Sequence, residues 1–83
     1  MRIDKFLKVS RIIKRRTIAK EICENGRVFV NGKPAKPSEE VKINDVLELN
    51  LNARQVKVKV LELRENARIE EADKMYEIIN NNK

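Results

Sequence analysis

The sequence predicts an α+β fold, with two short helices first, several short strands next and a third helix at the end. Three observations predict it. Apolar residues recur at helical spacing before Gly26, the period becomes strand-like after it, and helical spacing returns from Ile69.

In the first helix, Ile3, Phe6 and Leu7 stand at i, i+3 and i+4 and share one face, while Arg2, Asp4, Lys5 and Lys8 take the remaining surface. The second helix is expected from Thr17 to Asn25. Thr17 is placed to cap it, because a threonine hydroxyl can accept a hydrogen bond from an unpaired helix N–H. Ile18, Ala19 and Ile22 form its apolar stripe with Cys23 beside them, and Gly26 suits the positive φ needed just past the helix end.

Arg27-Val28-Phe29-Val30 is β-rich, and Asn31-Gly32 is a strong tight-turn signal. Pro34 and Pro37 mark an extended connection that lacks backbone donors. Lys42-Ile43-Asn44-Asp45 reads as a turn. Leu47, Leu49 and Leu51 then alternate with polar residues as one half-buried strand, and Val56, Val58 and Val60 as another. The alternation slips at Leu61-Glu62-Leu63, which predicts a bulge or bend near Val60. The last helix is expected from Ile69 to about Ile79, with Ile69, Ala72, Tyr76 and Ile79 on one face and Met75 alongside. Glu70 precedes Lys74 in the favourable order for a helix surface pair. Asn80 to Lys83 reads as a frayed end.

Length and composition narrow the function. A chain of 83 residues fits one small domain with a thin core. With 41% hydrophobic and 39% charged residues it is too apolar and too periodic for a disordered tail. The net charge of +6 is unevenly spread. Residues 1–37 hold eleven basic and three acidic side chains, whereas residues 38–83 hold eight and ten. Such asymmetry points to a localised footprint for a polyanion. One cysteine and no histidine exclude an internal disulfide and a zinc cluster, so neither metal nor cofactor is expected. No signal-peptide pattern or membrane-length apolar run is present, and a reducing cytoplasmic setting is the expectation.

The basic excess is densest from Arg11 to Lys20, a run that holds Arg11, Lys14, Arg15, Arg16 and Lys20 and no acidic residue. A merely solvated face would more often interleave Glu or Asp, because unrelieved cations repel. A membrane-surface helix would need bulkier apolar residues than the core can spare. Nucleic acid explains the pattern better. Arg15 and Arg16 stand at the positive end of the second helix, where guanidinium forks and free backbone N–H groups can meet a phosphate together. Lys20 lies one turn further, and Lys5 and Lys8 extend the surface. Phe6, Phe29 and Tyr76 are the only aromatics, so there is no platform for stacking single-stranded bases. Recognition of folded RNA by shape and phosphate is favoured over a DNA-reading helix-turn-helix, since strands directly follow the second helix.

Three blocks, "RIDKFL" (Arg2 to Leu7), "KRRTIAKEICENGRVFVNGK" (Lys14 to Lys33) and "VKINDVLEL" (Val41 to Leu49), resemble the RNA-binding domain named after ribosomal protein S-four, the αL motif. The resemblance implies two helices packed on a small, mostly antiparallel sheet, with RNA along the helical face and the adjacent strand loop. It implies RNA contacts from Arg2 and Lys5, from Arg15, Arg16, Thr17 and Lys20, and from Arg27, Asn31 and Lys33. To these the basic surface adds Lys8, Arg11 and Lys14. Asp4 is expected to orient an arginine rather than to touch RNA. Asn44 stands where that family usually has glycine, and asparagine tolerates the left-handed conformation better than most residues.

The whole chain, including "IEEADKMYEI" (Ile69 to Ile78), is similar to freestanding bacterial members of the heat-shock-protein-fifteen and ribosome-associated quality control groups. That similarity implies an RNA-binding domain over 1–66, followed by a C-terminal helix and tail over 67–83. It implies a monomer that binds large-subunit rRNA and peptidyl-tRNA on obstructed large ribosomal subunits. There it would support template-free poly-alanine tailing by a tailing-factor partner protein. Large-subunit recycling, or protein interaction through the C-terminal helix, are the alternatives. Catalysis is not expected, since Cys23 falls on an apolar helical face and no acid/base pair is evident.

Overall fold

The computed structural model describes residues 1–79. Helix α1 spans Ile3–Val9 and α2 Arg16–Glu24; strands follow at Val28–Val30 (β1), Lys33–Pro34 (β2), Val46–Leu51 (β3) and Arg54–Val60 (β4). A short helix α3, Ile69–Ala72, runs into a 3-10 turn at Asp73–Met75 and then into β5, Tyr76–Ile78. The strands form one antiparallel sheet in the order β2-β1-β3-β4-β5.

The apolar pattern accounts for the two layers. Val28 pairs with Leu49, and Leu47 pairs with Val58, so these side chains line one face of the sheet. Ile3, Phe6 and Leu7 of α1 and Ala19 and Cys23 of α2 join them in a single buried cluster. Burying each large side chain contributes about 1.5–3 kcal/mol, which makes α1 the main anchor of the helical layer. Phe29 and Glu48, paired in register, face the other way.

The turns follow the residues that require them. Asn31 and Gly32 have φ of 51° and 86°, the two positive values of the tight hairpin turn joining β1 to β2. Gly26 takes φ 74° just after α2, and Asn44 takes φ 79° in the glycine-like position of the turn before β3. Arg11 also has a positive φ, 65°, just past α1. Glycine is usual there, and an arginine costs about 1–2 kcal/mol. The irregularity after Val60 is a bulge-like pairing in which the Leu61 and Glu62 N–H groups both donate to the Met75 carbonyl, at 2.8 and 3.2 Å.

Four local expectations change. The C-terminal helix is present but stops at Ala72, and the residues expected to continue it pair instead with β4: Val60 with Tyr76, and Val58 with Ile78. The free edge of β4 supplies hydrogen bonds that outweigh the helical spacing, and Met75 turns fully into the core. Ile69, expected on the buried face, is 73% exposed. Thr17 does not cap α2: the helix begins at Arg16, Arg15 occupies the cap position with extended backbone, and no side chain caps it. Ile18 is 42% exposed, so the buried stripe of α2 is Ala19 and Cys23, with Ile22 packed beside them. Asn80 to Lys83 lie outside the described residues.

Candidate nucleic-acid interface

Asp4 organises the basic surface. It lies in the first turn of α1 and is only 2% exposed. Its carboxylate accepts from Arg2 Nε at 3.2 Å and Nη2 at 3.0 Å, and from Arg16 Nη2 at 3.2 Å. One buried anion thus holds two guanidinium groups from separate segments, both still about half exposed, at 47% and 45%. The backbone of Arg2 is itself fixed by an antiparallel β-bridge to that of Glu40, in which the Ile3 N–H donates to the Glu39 carbonyl at 2.7 Å. The arginines are mounted rather than floating.

Arg16 is also the first residue of α2. The first helical bond there runs from the Ala19 N–H to the Arg15 carbonyl, at 3.1 Å, which leaves the amides of Arg16, Thr17 and Ile18 without a helical acceptor. An arginine at the cap position has no oxygen in its side chain with which to satisfy them. A Ser or Asp there would have closed this end; here an external anion can do so, aided by the helix dipole. Arg2, Asp4, Arg16, Thr17 and Lys20 line a depression of about 300 Å³ at this place. A second depression, of about 440 Å³, shares Arg2 and Lys20 and extends past Lys36 and Pro37. Lys36 is a cation of this trough that sequence reasoning missed; its only signal is its position between Pro34 and Pro37.

The other expected contacts divide. Lys8, Arg11, Lys14 and Arg15 are exposed around the α1–α2 junction, with Arg11 Nη2 near the Ala67 carbonyl at 3.4 Å. Lys5 is engaged by Glu65, whose carboxyl is held below its ordinary range by that hydrogen bond and by the lysine charge. The tie therefore holds at neutral pH and is released as pH falls through the carboxylate range. Asn31 spends its side chain internally: it donates to Asp45 Oδ1 at 3.1 Å and accepts from the Val46 N–H at 3.0 Å. Lys33 sits in a depression of mixed charge with Glu39, Glu40, Lys42 and Asp45. Arg27 lies beyond the far end of α2, away from the Asp4 cluster.

Cys23 is packed in the core. Burial first, then the negative charges of Asp4 and Glu24, push its thiol up to about 11. A thiol shifted this far from its ordinary 9.0 forms about 100-fold less thiolate at neutral pH. Iodoacetamide at pH 8 is therefore expected to label native protein about 100-fold more slowly than urea-unfolded protein, as read by intact mass. Equal rates would place the sulfur at the surface.

Two helices that present an uncapped, arginine-flanked N-terminus on one face of an antiparallel sheet define a small anion-binding module. A family model described as the S4 domain matches residues 1–47, and the chain belongs to that family. It is 53% identical over 79 residues to the "RQC P-site tRNA stabilizing factor" of Streptococcus pneumoniae, covering 95% of this chain and 90% of that one. It is 49% identical over 83 residues to the protein of the same name from Bacillus subtilis, covering 100% of this chain and 96% of that one. Among solved structures, the trimeric Vibrio cholerae heat shock protein 15 superposes with a TM-score of 0.87 at 30% identity, covering 94% of this chain and 80% of the other. Among the described residues no helix is long and apolar enough to cross a membrane.

Proposed function

We propose that this chain is a non-enzymatic RNA-binding factor of ribosome-associated quality control that steadies a tRNA on the large ribosomal subunit. The observation that carries this reading is the Asp4 clamp, which aims Arg2 and Arg16 beside the uncapped start of α2. RNA phosphates match that arrangement in charge and geometry, and Lys20 and Lys36 extend it. Relatives about half identical along nearly their whole length bear a name that specifies P-site tRNA stabilisation, which supports the tRNA as one ligand. Large-subunit rRNA is the second, and peptidyl-tRNA on an obstructed subunit is the state recognised. In this reading the factor acts as a cytoplasmic monomer and holds the tRNA while a partner protein adds a template-free poly-alanine tail. The likeness to heat shock protein 15 supports large-subunit recycling as a second reading. Tail formation on the stalled chain, present or absent when the factor is depleted, separates the two.

Co-sedimentation with stalled large subunits tests the site. Arg2→Ala and Arg16→Ala are each expected to abolish sedimentation with the subunit at physiological salt. Arg16→Ala should also lower the salt slope of RNA binding by about one unit. Wild-type sedimentation of both variants would rule out this site.

A further inference from the structure

We propose that the tip of the β3–β4 hairpin, together with Arg27, forms a second RNA-contact site that takes unpaired nucleotides. It is a depression of about 520 Å³ lined by Arg27, Asn50, Leu51, Asn52, Arg54 and Gln55, among others. The lining holds two guanidinium groups and three carboxamides; Gln55 Nε2 donates to the neighbouring Glu48 carboxylate at 2.6 Å, so its carbonyl oxygen and the whole Asn50 carboxamide are what face a ligand. Arg27 Nη1 donates to Asn52 Oδ1 at 3.3 Å, which draws the guanidinium toward the hairpin turn and leaves its other N–H groups available. The Asn50 N–H donates to the Arg27 carbonyl at 2.8 Å, so the two sides of the depression are joined through the backbone. Asn50 and Gln55 are directly opposed in the β3–β4 register and therefore share a face.

This chemistry selects the ligand. Guanidinium forks bind phosphate oxygens, whereas carboxamides offer a donor and an acceptor together, as base edges and ribose hydroxyls require. Base edges are open to side chains in unpaired RNA and largely closed in the narrow major groove of a duplex. Leu51 is the only large apolar side chain in the lining, which disfavours a protein partner, since protein interfaces rely on buried aromatic and aliphatic anchors.

Its position makes it distinct from the Asp4 site. The nine residues of α2 rise about 13 Å, and Arg27 lies beyond their C-terminal end, whereas Arg16 opens the N-terminal end. Residues 50–55 also lie outside the 1–47 segment matched by the S4 domain model. The chain therefore carries two RNA footprints at opposite ends of one helix and bridges a structured segment to a nearby unpaired one. The proposal depends on the RNA-binding reading above only in taking RNA as the ligand.

Anisotropy titrations of the full chain test it with two probes: an RNA duplex, and the same duplex with an unpaired extension long enough to run the length of α2. Arg54→Gln is expected to weaken binding to the extended probe about three- to tenfold and to lower its salt slope by about one unit, with duplex binding unchanged. Arg54→Lys should keep the slope. Equal losses on both probes would overturn the proposal. Wild-type binding to both would overturn it as well, and would leave the hairpin tip to a protein ligand. Arg16→Ala should weaken both probes; if it weakens neither while Arg54→Gln still discriminates between them, the α2 reading fails and the hairpin site stands.

Discussion

Asp4→Asn is expected to weaken RNA binding about tenfold and to lower folding stability by about 1–3 kcal/mol, although it removes a negative charge from a basic surface. Simple electrostatics points the other way: fewer anions should mean tighter binding. The geometry decides. The carboxylate accepts three guanidinium N–H groups from Arg2 and Arg16, and a carboxamide cannot accept them with one oxygen and one NH₂. Breaking a fully buried ion pair costs about 3–5 kcal/mol. Here both arginines are about half exposed and water can replace part of what is lost, so the smaller figure applies. Urea melts measure the stability change and RNA titration the binding change. Tighter binding by Asp4→Asn would show that the carboxylate acts only as a counter-charge.

Met75→Ala should cost about 3 kcal/mol, within the range for truncating a fully buried methionine. Met75 has no exposed surface, and its carbonyl accepts from both Leu61 and Glu62. Loosening it is expected to free β5, so hydrogen exchange at Glu77 and Ile79 should accelerate before the rest of the sheet opens. A loss below about 1 kcal/mol would mean that the C-terminal segment is only loosely docked. Removing residues 69–83 to test a recruitment role would therefore confound recruitment with folding. Substitutions on exposed Glu77 or Ile78 are the better probe.

Legibility from sequence depended on how local each determinant is. Both N-terminal helices, the Asn31-Gly32 turn and the alternating strands β3 and β4 follow from neighbours along the chain. The C-terminal strand does not. Ala72, Met75, Tyr76 and Ile79 satisfy helical spacing, and only the unpaired edge of β4, distant in sequence, draws Tyr76 to Ile78 into the sheet. The start of α2 is a similar case. Thr17 is a good capping residue, but the extended backbone of Arg15 starts the helix two residues earlier than a Thr17 cap would. Within the candidate site, the cations Arg2, Arg16 and Lys20 were visible as composition, and the pairing of Asp4 with an arginine was expected. That one buried carboxylate would hold two arginines needed the packing of α2 against α1, and that Lys36 would join the trough needed the chain path through Pro37 to Glu40.

The backbone β-bridge between Arg2 and Glu40 also bears on the order of folding. The β1–β2 and β3–β4 hairpins close across two-residue turns, which small chains form within microseconds. Seating the first residues against residues 37–41 closes a much longer loop, and its entropy is recovered only once Ile3, Phe6 and Val41 pack together. The Asp4 clamp is therefore expected to close after the hairpins, once the core around Ile3, Phe6 and Val41 has packed.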